Sequence, residues 1–211
     1  MKTIDLYAQN PSLEVCKDAI EAAKELMIGT YKKGGKLLLC GNGGSCADCD
    51  HIVGELMKGF LLHRDPCADL VDKIEKTGAP EAELLSANLQ MGLPAVALHT
   101  QSALLSAFCN DVSAETVYAQ ALLALAKPED LLVCFSTSGN SKNVVNAAKT
   151  AKACGIKTVA LTGAKESKLS QICDCTIRVP ETETFMVQEL HLPVYHYLCA
   201  EMEEEVYGKG E

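Results

Sequence analysis

The stretch of residues 36–56, KLLLCGNGGSCADCDHIVGEL, constrains the fold more than any other part of this chain. Four apolar residues run directly into the segment GNGGS at 41–45, and a helical pattern follows. This order predicts a buried strand, a glycine turn and a helix. Glycines let the backbone approach a ligand closely, and the free N–H groups at a helix start attract an anion such as a phosphate. The stretch therefore predicts a ligand site where a strand ends.

Predicted strands and helices also alternate along the rest of the chain. Apolar strands are predicted at 95–99, 131–136, 158–161 and 176–179, with helices at 114–126, 143–154 and near Lys168. These strands are apolar without polar alternation, as expected when helices cover both faces of a parallel sheet. The sequence predicts an α/β fold, a three-layer α/β/α sandwich with a five-stranded parallel sheet.

A helix is predicted ahead of the first strand. Asn10 and Pro11 predict its N-cap and first turn, and the helical pattern runs to Tyr31. Its apolar residues recur every three or four positions and form one stripe: Leu13, Cys16, Ile20, Ala23, Met27 and Tyr31. This stripe fits packing either on the protein's own sheet or on another subunit.

Residues 63–92 differ in character from the elements around them. They predict two short helices, at 67–76 and 81–90, which we interpret as an insertion after the helix that carries Glu55. The prediction is a single domain over residues 1–211, with an N-terminal helix in 1–35 and a helical insertion in 63–92.

Composition excludes several function classes. The chain has 211 residues and 48% hydrophobic content, which is enough to bury the core of one domain. A net charge of −9 argues against nucleic-acid and membrane partners, because both need basic surface. No apolar run approaches 18 residues and the N-terminus lacks the apolar core of a signal peptide, so we expect a cytoplasmic protein.

A second polar loop, STSGNS at 136–141, follows the predicted strand 131–136. A phosphate needs several short donors and no competing carboxylate, and this loop supplies four hydroxyls directly before a helix. A serine-rich N-cap turn is the alternative for this loop alone. Two such units in one chain favour a ligand site at the carboxyl ends of the strands. Neither loop has the spacing of a nucleotide P-loop or of GxGxxG.

Taken together, these motifs resemble the SIS (sugar isomerase) family, and within it the phosphoheptose isomerase branch. The motifs that carry the resemblance, in the family's order, are GNGGS, HIVGEL, CNDV at 109–112, STSGNS, LTG at 161–163 and VQELHLPVYH at 187–196. The resemblance implies a homotetramer with active sites at subunit contacts. It also implies isomerisation of a phosphorylated sugar, with sedoheptulose 7-phosphate and D-glycero-D-manno-heptose 7-phosphate as the expected pair.

The resemblance further implies a role for each matching residue. Glu55 would be the general base and His196 the general acid. Substrate contacts would come from Asn42, Gly43, Gly44, Ser45, Glu55, Thr100, Gln101, Ser136, Thr137, Ser138, Ser141 and Gln188. One zinc ion per subunit would be bound by His51, Glu55, Gln188 and His196.

Spacing and chemistry are compatible with these roles. His51 and Glu55 stand four residues apart and share a helix face, which suits one metal ion. Aldose–ketose conversion passes through an enediolate and needs a carboxylate base near the carbon and a donor near the oxygens. Without the motif context, the His–Glu pair would be a solvated helix pair worth about 0.2–0.5 kcal/mol. Nearby, His191 fits a buried core residue, and Pro193 predicts a helix that begins near Leu190 or kinks there.

Two positions depart from the family pattern. Gln101 stands where the family commonly carries an Asp, and Phe185 stands where a small or polar residue is more usual. Both changes fall around the sugar, so phosphosugar isomerisation is a firmer expectation than the heptose substrate. A non-catalytic SIS module that binds a phosphosugar or a protein partner is the alternative, although such modules tend to lack one or both of the acid and base residues.

The cysteines suggest a third class of function. Cys46 and Cys49 form a CxxC at a helix start, where redox motifs occur. The eleven cysteines are an odd number scattered through predicted core elements, which favours reduced thiols over a disulfide framework. We expect small core fillers at Cys40, Cys109, Cys134 and Cys154.

Overall fold

A five-stranded parallel sheet forms the centre of the molecule. The computed structural model describes residues 4–208, so both ends of the predicted domain lie outside the described residues. The strands are β1 (Leu37–Cys40), β2 (Ala95–Ala97), β3 (Leu131–Phe135), β4 (Lys157–Thr162) and β5 (Cys175–Arg178). Their order is β2-β1-β3-β4-β5, and all pairs are parallel. The order reverses between β1 and β3, which is where open α/β sheets bind ligands.

Helices cover both faces of this sheet. They are α1 (Leu6–Gln9), α2 (Lys17–Lys32), α3 (Gly44–Leu56), α4 (Ala68–Lys76), α5 (Ala82–Asn88), α6 (Ser102–Phe108), α7 (Val117–Leu125), α8 (Lys142–Ala153), α9 (Lys168–Ile172) and α10 (Thr184–Tyr207). Leu37 and Leu39 of β1 face a core made with α2, α3 and α10. Leu38 and Cys40 face the opposite core, made with α7 and α8. The predicted three-layer α/β/α sandwich is confirmed.

The N-terminal segment begins differently from the prediction. Residues Pro11–Cys16 form a 3₁₀ helix, and the α-helix starts only at Lys17. Asn10 and Pro11 occupy the predicted N-cap and first-turn positions, but the Asn10 side chain donates to the carbonyl of Leu6 and makes no capping hydrogen bond. The apolar stripe packs on the protein's own sheet, with Ile20 fully buried in the same core as β1.

Several other element boundaries differ from the sequence expectations. Strand β2 ends at Ala97, and helix α7 begins at Val117. The sequence pattern missed α6 and the π-helical turn Cys109–Ser113 that follows it. Helices α4 and α5 fall within two residues of the predicted ends, and neither contains a buried residue.

Helix α10 runs without interruption past Pro193. The predicted start near Leu190 is wrong, because α10 already begins at Thr184. Proline removes one backbone donor, and α10 nevertheless continues as a helix that packs against α2 and α3. As a result, α10 lies beside α3 over several turns. Within residues 4–208, no helix combines the length and apolar character needed to cross a membrane.

A buried ion pair fixes the segment after α3 against α10. Arg64 Nε donates to Glu203 Oε1 at 2.7 Å, and both side chains are at most 1% exposed. Arg64 Nη1 also donates to the carbonyl of Leu56 at 2.6 Å, at the end of α3. The Glu203 carboxylate accepts the backbone N–H groups of Phe60, Leu61 and Leu62. These bonds hold the end of α3, its following loop and α10 together.

Candidate active site

The glycine loop between β1 and α3 depends on two glycines for different reasons. Gly43 has φ +56° and ψ −123°, a backbone conformation that is strained for any residue with a side chain. At Gly44, a Cβ atom would lie 2.7 Å from Gln188 Nε2 of α10. Gly44 therefore lets α10 approach the first turn of α3, and this contact places Gln188 at the glycine loop.

Hydrogen bonds join the glycine loop to helices α7 and α8, and α8 begins directly after the hydroxyl loop, which is STSGNS at 136–141. The amides of Asn42 and Asn143 exchange two hydrogen bonds of 2.9 Å. The Tyr118 hydroxyl donates to the carbonyl of Gly41 at 2.6 Å. The sequence analysis missed Asn143 and Tyr118. The only cue to Asn143 was its position two residues after STSGNS.

A cleft of about 320 Å³ opens between these loops and the start of α10. It is lined by Asn42, Gly43, Gly44, Ser45, Phe135, Ser136, Thr137, Ser141, Thr184 and Gln188. None of these lining residues carries a carboxylate, and the hydroxyls of Ser136 and Ser141 lie 3.0 Å apart. Helices α3, α8 and α10 all begin at this cleft, so their N-termini favour an anion there.

Not every predicted substrate contact lines the cleft. Ser138 lines a neighbouring cleft of about 210 Å³, and its hydroxyl accepts the backbone N–H of Asn140. Thr100 and Gln101 are exposed at the carboxyl end of β2, where the Thr100 hydroxyl donates to the carbonyl of Ala97. Thr184, the first residue of α10, lines the cleft, and the sequence analysis missed it.

The predicted base, Glu55, and the predicted acid, His196, both lie near the same ring nitrogen of His51. His51 Nε2 is 3.1 Å from Glu55 Oε1 and 3.5 Å from His196 Nε2. The Glu55 side chain is 17% exposed, and its Oε2 accepts a hydrogen bond from Lys58. Burial and the neighbouring His51 lower the pKa of His196. The ring of Phe60 packs against His196 with centroids 5.6 Å apart.

This cluster lies further along the same two helices that form the cleft. His51 follows Gly44 by seven residues on α3, or about 10 Å along the helix axis. His196 follows Gln188 by eight residues on α10, in the same direction from the cleft. An elongated ligand with its anionic end in the cleft would therefore extend toward Glu55 and His196.

The distances around His51 suit two ligands of one metal ion. Ligands on a tetrahedral zinc ion with bonds near 2.0–2.1 Å are roughly 3.3 Å apart. The separations of His51 from Glu55 and His196 are close to this value. Gln188 is placed at Gly44. Within residues 4–208, no group of three His, Cys, Asp or Glu side chains is already arranged as a metal site. His51 is thus within metal-ligand distance of Glu55 and of His196, whereas Gln188 lies apart from them at Gly44.

Two further side chains support His51. The Tyr195 hydroxyl lies 2.9 Å from His51 Nδ1 and donates to Asp48 Oδ1 at 3.4 Å. Neither residue was predicted from the sequence. His191, three residues after Gln188, is fully buried and stays apart from this cluster, which confirms its interpretation as a core residue.

The two thiols of the CxxC segment, Cys46 and Cys49, lie in an environment that disfavours the thiolate. All eleven cysteines are free. Burial raises the pKa of Cys49 well above its usual value, and burial together with Asp50 also raises that of Cys46. A redox thiol needs the opposite shift. Cys40 and Cys134 are buried as expected, Cys109 is half-buried, and Cys154 is exposed, so its assignment to the core is wrong.

A family model described as SIS domain matches residues 11–86 and 82–163 of this chain. The chain belongs to the SIS domain family. The matched residues include β1, the glycine loop, β3 and the hydroxyl loop, so the family covers both loops that form the cleft.

Relatives of this SIS domain resemble it over nearly its whole length. The phosphoheptose isomerase of Aliarcobacter butzleri is 36% identical over 194 residues, which covers 92% of this chain and 89% of the relative. The phosphoheptose isomerase of Rhodospirillum rubrum is 35% identical, and the match covers 90% of this chain and 87% of the relative. The solved structure of the Neisseria gonorrhoeae phosphoheptose isomerase has a TM-score of 0.74 and 31% identity, covering 93% of this chain and 91% of that one.

Proposed function

We propose that this SIS domain interconverts aldose and ketose phosphates, with sedoheptulose 7-phosphate as the ketose and D-glycero-D-manno-heptose 7-phosphate as the aldose. The observation that carries the proposal is the cluster of His51, Glu55 and His196 about two turns from a hydroxyl-lined cleft. Relatives named phosphoheptose isomerase at 35–36% identity support the same reaction.

The cleft binds the phosphate group in this proposal. Hydroxyls of Ser136, Thr137 and Ser141 donate to its oxygens, and the helix starts at the cleft add backbone N–H donors. Binding the phosphate in the cleft would direct the other end of the sugar along α3 and α10. The reacting carbons then come to the acid–base cluster instead of staying in solvent.

Glu55 and His196 then carry the protons. The Glu55 carboxylate takes the proton from C1 of the ketose, which forms the enediolate, and returns a proton to C2. His196 transfers a proton between the two oxygens, so the reaction is balanced without a net proton. Phe60 packs on His196 and limits its contact with water.

The proposal includes one zinc ion per subunit. His51, Glu55 and His196 would hold it, with Gln188 as the fourth expected ligand. A bound divalent metal would polarise the sugar carbonyl. Metal analysis of the purified protein, before and after dialysis against a chelator, tests this part. A protein that is fully active with no bound metal would contradict it.

A cytoplasmic homotetramer with active sites at subunit contacts completes the proposal. Large apolar side chains on this chain are exposed, including Val15 at 77% and Phe185 at 63%, and Phe185 lies one turn from Gln188. Light scattering in solution should give four times the chain mass of 22.6 kDa. A monomer that is fully active would contradict the assembly.

The decisive experiment is deuterium uptake from heavy water into a panel of ketose and aldose phosphates. Proton abstraction labels the carbon even where net conversion is small. Label that appears with sedoheptulose 7-phosphate and disappears in Glu55→Gln supports the proposal. Label with another sugar only would change the substrate. No label with any sugar, from folded and zinc-supplemented protein, would favour a non-catalytic phosphosugar-binding module.

A further inference from the structure

Two asparagines from different elements are joined beside the 320 Å³ cleft. Asn42 belongs to the glycine loop and lines the cleft, whereas Asn143 is the second residue of α8 and does not line it. Their side-chain amides exchange two hydrogen bonds of 2.9 Å, across the point where the strand order reverses between β1 and β3. Any effect of Asn143 on a ligand in the cleft is therefore expected to pass through Asn42.

A third contact determines which way the two amides face. The backbone N–H of Val144 donates to Asn143 Oδ1 at 3.0 Å. Turning the Asn143 amide over would set its NH₂ group against this N–H, and two donors would face each other. Asn143 therefore presents its oxygen to Val144 and to Asn42 Nδ2, and its NH₂ group to Asn42 Oδ1. The orientation of Asn42 follows, because the exchange pairs the oxygen of each amide with the nitrogen of the other.

These contacts leave one hydrogen-bonding group of Asn42 free. Its oxygen accepts from Asn143 and lies 3.3 Å from the Tyr118 hydroxyl, so protein groups surround it. Its nitrogen carries two hydrogens, and one of them is donated to Asn143. Among residues 4–208, the second hydrogen has no acceptor. Asn42 therefore offers a ligand an N–H donor and not its carbonyl oxygen.

A fixed donor suits the ligand proposed for this cleft. A phosphorylated sugar brings acceptor oxygens, both on its phosphate and on its hydroxyls. An asparagine that was free to turn would present its oxygen as readily as its nitrogen, and that oxygen would repel a phosphate. Fixing the side chain before binding also lowers the entropy that is lost when the ligand orders it.

We infer that Asn143 is a positioning residue: its amide fixes the rotamer of Asn42, so that the free Nδ2 hydrogen of Asn42 donates to an oxygen of a phosphorylated sugar in the cleft. The identity of the ligand rests on the proposed function, whereas the fixed rotamer does not.

The test starts from Asn143→Ala, which removes both hydrogen bonds to Asn42 and changes no residue that lines the cleft. Asn146→Ala is the matched control, because Asn146 lies on the same helix and its amide donates to the carbonyl of Glu115 at 2.8 Å. Crystal structures of the variants give the rotamer of Asn42. Calorimetric titration with sedoheptulose 7-phosphate gives Kd without turnover, and steady-state kinetics give kcat and KM.

We expect the Asn42 side chain to leave its rotamer in Asn143→Ala and to keep it in Asn146→Ala. In Asn143→Ala, Kd and KM should rise about tenfold or more, because a hydrogen bond to a charged ligand is lost. The value of kcat should stay within about twofold of the parent, as for an interaction made equally in the ground and transition states. If Asn143→Ala does not fold, Asn143→Ser carries the test, because its side chain is too short to reach Asn42.

A double-mutant cycle separates positioning from a general structural role. If Asn143 acts through Asn42, adding Asn143→Ala to Asn42→Ala should leave Kd within about twofold of Asn42→Ala alone. Equal losses with and without Asn42 would overturn the inference, as would an unchanged Asn42 rotamer in Asn143→Ala. A parent that binds sedoheptulose 7-phosphate without isomerising it would overturn only the catalytic part of the proposed function. A parent that does not bind this sugar would overturn both that function and the donor role of Asn42.

Discussion

At the scale of single residues, His51 is informative because its two ring nitrogens face different groups. Nε2 faces Glu55 and His196, and Nδ1 faces Tyr195. The i, i+4 spacing predicted only the contact with Glu55. The other two contacts come from α10, more than 140 residues away in sequence.

Glu55→Gln should lower kcat about 10²–10⁴-fold, because the amide cannot accept the substrate proton. The isomerisation rate measures this loss, and a thermal melt should show a folded protein. Glu75→Gln, at an exposed position of α4, is the matched control and should keep the parental rate. Global unfolding of Glu55→Gln would argue against a catalytic role for this residue.

The two serines of the hydroxyl loop should behave differently on substitution. Ser141 lines the 320 Å³ cleft, and a hydrogen bond to a charged phosphate is worth about 1.5–3 kcal/mol, so Ser141→Ala should raise KM roughly 10-fold or more. Ser138 lines the neighbouring cleft, so Ser138→Ala should raise KM less. Equal effects of both substitutions on KM would place the phosphate elsewhere in the loop.

At the scale of elements, the geometry of the site depends on how α10 packs against α3. The contacts between these helices include Gln188 against Gly44 at one end and the Arg64–Glu203 pair beyond the other. The first depends on the absence of a side chain, and the second on a fully buried charge pair. Glu55 and His196 lie between these contacts.

Arg64→Met should lower the free energy of unfolding by about 3–5 kcal/mol, because it leaves Glu203 buried without its cation. Urea denaturation measures the change. Lys73→Met removes an exposed partner of Asp69 and should cost at most about 1 kcal/mol. Similar losses for the two variants would mean that Glu203 finds water or another donor in the folded protein.

At the scale of the whole molecule, buried His191 makes stability depend on pH. Burial lowers its pKa to about 4 in the folded state, against about 6.5 when unfolded. Its contribution is fully present above pH 6.5 and is lost as pH falls toward 4, since only the unfolded chain binds the proton. The loss is about 3 kcal/mol. His191→Gln should remove this part of the slope when denaturation is measured between pH 7 and 4. An unchanged slope would contradict a buried neutral His191.

The sequence predicted those parts of the fold that depend on residues close together in the chain. The strands, the glycine loop and the hydroxyl loop depend on neighbouring residues, and they lie near the predicted positions. The pairs Asn42–Asn143, Tyr195–His51 and Arg64–Glu203 join distant residues, and such contacts leave no periodic trace in a sequence. Helix α6 was missed for another reason, since its short pattern has no cap residue at Gln101.

Because the site is divided between α3 and α10, a folding chain can become active only after these two helices have come together. Glu55 lies on the third helix and His196 on the last, and four of the five strands lie between them. A refolding chain can complete much of its sheet and still have no acid beside its base. Recovery of turnover after dilution from denaturant should therefore follow the docking of α10, and lag behind the return of secondary structure.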